Sequence, residues 1–185
     1  SISTPPLVDL DTTTGGNDFS TAFVEAGAGV AGTGSVLIGN GGSLTLAAPD
    51  GAAIKQLAVT ITNVQAGDVL SGTASGGANS LSYDSAAGVL TVKASSGTAT
   101  AADFQAVLNS IRFNSTSENP ATVTRQLSVV ATNAQNVASD SVSGGAATST
   151  ITVTSSNDAP VLTATVASPT ATESGTGTNT VSLLS

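Results

Sequence analysis

The chain has 185 residues, the size of one domain with or without an appendage, and its 12 acidic and 4 basic residues give a formal charge of −8. It contains no Cys, Met, Trp or His, which excludes Cys–His and Ser–His catalytic pairs, thiolate or imidazole zinc sites and disulfides. Four cationic residues and one Tyr leave nucleic acid without phosphate contacts or stacking faces, and no apolar run approaches the ~20 residues of a membrane span.

With no Met, the chain is expected to be processed or to be a portion of a longer one; no signal or transit peptide is visible at Ser1. Few aromatics and much Ser, Thr and Gly would suit a linker, but 39% of the residues are hydrophobic and they alternate with polar ones. In chain order, Val8-Asp9-Leu10-Asp11 opens as a strand-like run that places Asp9 and Asp11 on one face. Gln56 to Thr62 and Val89 to Lys93 alternate with period two. The stretch 100–111 breaks the pattern: Phe104, Val107, Leu108 and Ile111 fall at helical spacing. Thr100 stands as N-cap and Asp103 as its capping-box acid. Thr122 to Val129 and Ser149 to Thr154 return to alternation. Thr on the wet face and Val, Ile or Leu on the dry face is what a half-buried antiparallel strand requires. Between the runs stand turn segments such as Gly39-Asn40-Gly41-Gly42, Asp50-Gly51, Gly76-Gly77 and Gly144-Gly145. The prediction is an all-β sandwich with one short helix over 100–111, packed on one end through Phe104 with Phe113 in the core.

Several stretches resemble bacterial cadherin-like repeats of large secreted adhesins. They are Val8-Asp9-Leu10-Asp11 with Asn17-Asp18-Phe19 and Phe23-Val24-Glu25, then Ala66-Gly67-Asp68-Val69-Leu70, then Tyr83 to Leu90. Ile111-Arg112-Phe113-Asn114 and the exit stretch Ser149 to Leu162, with its Asn157-Asp158-Ala159-Pro160, complete the likeness, which covers roughly residues 5–162. The resemblance implies a Greek-key, cadherin-like sandwich rigidified by calcium and strung in tandem on a bacterial cell surface or in the extracellular matrix. It further implies calcium ligands at Asp9, Asp11, Asp18, Glu25, Asn157 and Asp158, near the two ends of the domain. The residues themselves leave two readings open. A carboxylate pair such as Asp9 and Asp11 is stable either when solvated or when a cation lies between them, and calcium asks for about 6–8 oxygens. The chain departs from the family pattern at Ser155 and Asn133, where an acid is usual, and keeps only Asp50 of the acids around the third strand.

The domain is expected to span residues 1–159. In 160–185, Pro160-Val161-Leu162 echoes Pro6-Leu7-Val8, and Glu173-Ser174-Gly175 echoes Glu25-Ala26-Gly27, so a second repeat starts there. That stretch is too short to bury a core alone. It either continues into further repeats or lends Thr180-Val181-Ser182-Leu183-Leu184 as a strand to a neighbouring copy, which builds a filament.

The function expected is a non-enzymatic extracellular adhesion or structural module. Its expected partners are copies of itself, adjacent repeats and a cell-surface or glycan receptor. A carbohydrate-binding or ice-binding module is the alternative: twelve acids allow carboxylate pairs, and Thr60-Ile61-Thr62 and Thr150-Ile151-Thr152 offer Thr arrays. Lys55 and Lys93 are the candidates for an amide cross-link to an Asn, against which stands the solvated position of Lys93 in its strand.

Overall fold

The computed structural model describes residues 2–27, 29–142 and 144–158. Its elements are β1 (Leu7–Asp9), β2 (Phe19–Val24), β3 (Val36–Leu37), β4 (Thr45–Ala47), β5 (Ile54–Ile61), β6 (Asp68–Ser71), β7 (Ala78–Asp84) and β8 (Val89–Ala94). After these come α1 (Ala101–Leu108), β9 (Arg112–Ser115), β10 (Arg125–Asn133), a 3-10 turn (Ser139–Ser141) and β11 (Ala147–Thr154). One sheet has six strands in the order β2-β11-β10-β5-β8-β7, a second has three in the order β3-β9-β6, and β1 pairs with β4 as a ribbon. The protein is therefore an all-β sandwich with one short helix, as the alternation predicts.

The period-two runs fall where expected because one face of each is dry. Leu57, Val59 and Ile61 of β5, Leu127 and Val129 of β10, and Ile151 and Val153 of β11 are buried, while the intervening Thr, Ser and Gln face outward. The opposing layer is Leu70 and Phe113 of the small sheet, Phe104, Val107 and Leu108 of α1, and Leu10, Ile38, Leu44 and Leu46 around the ribbon. All of these share one core. Phe23 on β2 meets Phe113 on β9 edge to face, with ring centroids 5.6 Å apart, so an aromatic pair joins the two sheets.

Two local signals set the irregular parts. Thr100 Oγ1 accepts the Asp103 N–H at 3.1 Å, and the Asp103 carboxylate accepts the Thr100 N–H at 3.2 Å, so the capping box closes. The helix stops at Leu108, earlier than 111, because Ser110 and Ile111 take the tighter bonds to Val107 and Leu108 and turn Ile111 into the core. Thr100→Ala should cost about 1 kcal/mol of stability in urea unfolding; an unchanged midpoint would mean that the box contributes nothing. In the β7–β8 turn, Gly88 adopts φ +68, and a Cβ there would press on Val64.

Strand β2 runs parallel to β11, whereas every other pair is antiparallel. A parallel neighbour cannot be reached by a hairpin, so an early strand is clasped to the last one and the sandwich closes on itself. On β10, Arg125 pairs with Ile151 and Val129 with Ala147, so the end of β10 lies beyond the start of β11. The molecule thus has two poles, one at Asn133 and the other at Thr154, separated along the strand direction by more than the length of β11, about 36 Å.

Candidate functional site

Each pole carries a polar clasp on the main chain. At the first, Asn133 is fully buried at the end of β10. Its Nδ2 donates to Ser3 Oγ at 2.8 Å and to the Thr4 carbonyl at 3.2 Å, and its Oδ1 accepts the N–H groups of Gln135 and Val137. Asp50 adds to this from the other side. It accepts the Thr4 N–H at 2.8 Å and the Ala52 N–H at 3.0 Å, and these bonds hold its carboxyl below the usual range. The incoming chain at Ser3 and Thr4 is therefore gripped from two elements.

At the second pole, Glu25 follows β2 and is 8% exposed. Its Oε2 accepts the Ser156 N–H at 3.0 Å, while its carbonyl accepts the Ser156 hydroxyl at 2.7 Å. Ser156 packs so closely on Gly27 that a Cβ at position 27 would overlap it. The outgoing chain is fastened to the end of β2, and its direction is set by a side chain and a close approach that only glycine permits.

The six residues expected to hold calcium near the two ends of the domain fall into three places. Asp9 and Asp11 stand together near the ribbon, but not on one strand face as the alternation suggests: β1 ends at Asp9 because the Asp9 Oδ1 accepts the Asp11 N–H at 2.9 Å, a turn that competes with the ladder. Asp11 Oδ1 accepts the Thr13 hydroxyl at 2.6 Å, the Asn40 amide at 2.8 Å and the Thr13 N–H at 3.1 Å. These bonds, the Thr13 hydroxyl foremost, hold the Asp11 carboxyl below its ordinary value. Asp18 lies at the start of β2 and accepts the Thr148 N–H at 2.9 Å. Glu25 lies at the far end of the same strand, and Asn157 and Asp158 are exposed just beyond Ser156. Among the described residues no three acids form a group able to hold a metal ion. Four of these carboxylates accept a protein N–H bond, which orients them and leaves their remaining lone pairs to other partners.

Periodicity alone did not single out the pair that dominates the interior. Arg125 and Asp68 are completely buried, with Arg125 Nε 2.6 Å from Asp68 Oδ2 and Nη2 3.1 Å from Oδ1. The remaining guanidinium nitrogen donates to the carbonyls of Ala121, at 2.9 Å, and Val123. Asp68 Oδ2 also accepts the Gln65 N–H at 2.8 Å, and the Tyr83 hydroxyl donates to the Asp68 carbonyl at 2.9 Å. Strand β10 of the large sheet is thereby pinned to β6 of the small one. A signal was present: Arg125 occupies the same phase as Leu127 and Val129, and a charge in the dry phase of a strand demands a buried counter-charge.

The aromatic rings serve the core. Phe23, Phe104 and Phe113 are buried, and Phe19 and Tyr83 are half-buried against them. Burial and the nearby Asp68 and Asp84 charges raise the Tyr83 phenol above its usual value. A cleft of about 650 Å³ beside the start of α1 is lined by small residues, with Asp103 its only titratable group, and that carboxylate serves the Thr100 cap. Lys55, in the β5 bulge, donates to Asn136 Oδ1 at the surface, and Lys93 is exposed on β8. No described helix is long and apolar enough to cross a membrane. The expected second segment, 160–185, lies outside the described residues.

These features define an all-β sandwich whose incoming and outgoing chain are clasped at opposite poles. No protein-family model matches the chain, and neither curated proteins nor solved structures give a match.

Proposed function

We propose that the chain is a non-enzymatic extracellular module, structural or adhesive, of the cadherin-like kind strung in tandem in bacterial surface adhesins or joined head to tail in a surface filament. One observation carries this reading: the chain enters at Asn133 and Asp50 and leaves at Glu25, on opposite poles, and each passage is fixed by polar clasps. A domain gripped in this way transmits direction and tension from one neighbour to the next. Phe23, Phe104 and Phe113 are buried, which leaves a carbohydrate-binding reading only the half-buried Phe19 and Tyr83 as stacking faces. Calcium keeps a narrower place in the proposal. Asp9 with Asp11, or Glu25 with Asn157 and Asp158, would supply part of a shell that an adjacent repeat completes. Strand β7 offers the route for head-to-tail joining, since Asn79–Asp84 make no main-chain bonds beyond those to β8 among the described residues. Its half-buried Leu81 and Tyr83 alternate with exposed Ser80 and Ser82, a pattern matched by Thr180-Val181-Ser182-Leu183-Leu184.

The test is to melt and image the purified chain with calcium and with chelator, and to digest it with a broad-specificity protease beside the Glu25→Ala variant. The expected result is head-to-tail particles, with the stretch 155–158 protected in the parent and cut in the variant. A melting temperature indifferent to chelation overturns the calcium part. Monomers alone, cut readily within 160–185, overturn head-to-tail assembly, and equal cutting at 155–158 in both proteins overturns the clasp.

A further inference from the structure

Strand β2 stands at the edge of the six-stranded sheet, where it pairs with β11. The two run parallel through six paired residues, from Phe19 beside Ser149 to Val24 beside Thr154. Polar groups lengthen the pair at both ends. Ahead of it, the Asp18 carboxylate accepts the Thr148 N–H at 2.9 Å. Beyond it, the Glu25 N–H donates to the Thr154 carbonyl at 2.9 Å. Glu25 then holds Ser156 through its carboxylate at 3.0 Å and its carbonyl at 2.7 Å. On the dry side, Phe23 of β2 is buried against Phe113 of the small sheet. Asp18 and Glu25, two of the acids expected to bind calcium, thus brace one and the same strand pair.

We propose that the β2–β11 pair is a mechanical clamp, loaded in shear when the chain is pulled between its neighbours. That a load arises rests on the tandem or head-to-tail reading above; how it is met follows from register alone. Strand β2 begins on the Asn133 side of the molecule and β11 ends on the Glu25 side. Tension therefore draws the start of β2 toward one pole and the end of β11 toward the other, along the strand axis. The bonds across a parallel pair loaded in this way stretch together, so they must break together. An antiparallel partner would put both loaded ends at one pole, where the bonds open one at a time. The entry clasp at Ser3 and Thr4 relies on side chains, and β1 pairs with β4 over only three residues. These links yield first and pass the load to β2. Sliding of β2 along β11 is opposed from the dry side, because it drags Phe23 from its fitted place against Phe113.

The chain has no Cys, so pairs of introduced cysteines give defined handles for pulling single molecules of the full chain. Gly15→Cys lies ahead of β2, where a Cβ meets nothing within 4 Å. Asp158→Cys is exposed beyond the end of β11, and Ala146→Cys is a half-buried position just ahead of its start. Gly15→Cys/Asp158→Cys shears the pair, whereas Gly15→Cys/Ala146→Cys draws its two beginnings apart at one pole, through the same bonds. The expected result is a rupture force at least about twofold higher in shear at one loading rate, with the two variants melting alike, because forced unfolding follows the barrier along the pulled direction. Ile2→Cys/Asp158→Cys, which applies load as a tandem array would, should show a small early lengthening and then the same shear peak. Should Gly15→Cys melt lower than the parent, Thr14→Cys, also exposed, replaces it. Equal forces in the two directions overturn the proposal. So does unfolding of the Ile2→Cys/Asp158→Cys variant in one step at a higher force, which would place the clamp in the entry clasp. Each trace reports one molecule, so failure here leaves the joining of copies to its own test, and the reverse.

Discussion

Arg125→Ala is expected to lower the free energy of unfolding by about 3–5 kcal/mol, because the substitution leaves the Asp68 carboxylate buried without its counter-charge. Asp68→Ala should cost as much, since it strands a guanidinium that has no route to water at 0% exposure. The pair is held by more than attraction. Arg125 has a two-pronged bond to Asp68 and further bonds to the carbonyls of Ala121 and Val123, while Asp68 takes an N–H from Gln65. Desolvating both ions offsets much of what their attraction contributes, so the intact pair adds little net stability even though breaking it is expensive. The double variant Arg125→Met/Asp68→Leu should therefore recover most of the loss. Urea unfolding of the three variants decides the matter. Single substitutions costing under ~1 kcal/mol, or a double variant as unstable as their sum, would contradict this account.

Phe113→Ala is expected to cost about 3–5 kcal/mol for a different reason. Phe113 is 0% exposed at the centre of the small sheet, where β9 lies between β3 and β6, and its ring meets the Phe23 ring from the large sheet. Truncation leaves a cavity between two layers that are each tied by main-chain hydrogen bonds and cannot collapse into it freely. Phe113→Leu retains most of the apolar volume and should lose less than half as much. Equal losses for the two variants would mean that the edge-to-face contact, not the filled volume, carries the energy. A domain of this size has about 5–15 kcal/mol of stability in all, so both Arg125→Ala and Phe113→Ala approach the threshold of folding.

How far the sequence reached can be followed residue by residue. Alternation located β5, β8, β10 and β11 because burial on one face of a strand leaves a local, short-range signature. The Thr100–Asp103 box placed the start of α1, although its end depended on Ile111 being drawn into the core. The spacing of Asp9 and Asp11 points to strand neighbours on one face, because spacing alone does not reveal that a carboxylate turns back on its own backbone and ends β1. Asn133 stands where the family pattern has an acid and Asp50 is the one acid kept around the third strand, yet both grip Ser3 and Thr4. Their partners lie about 130 and 46 positions away, beyond any local reading.

By itself, the sequence determined the chemistry that is out of reach, the all-β class, the helix start and the dry phase of the long strands. These follow from composition and from interactions between residues a few positions apart. Tertiary structure alone decided that Asp68 meets Arg125 across 57 positions, that the predicted calcium acids divide among three places, and that the chain enters and leaves at opposite poles. The physical reason is register. Which strands become neighbours, and which residues then face each other, is settled by how whole sheets pack and not by any property that a short stretch carries on its own.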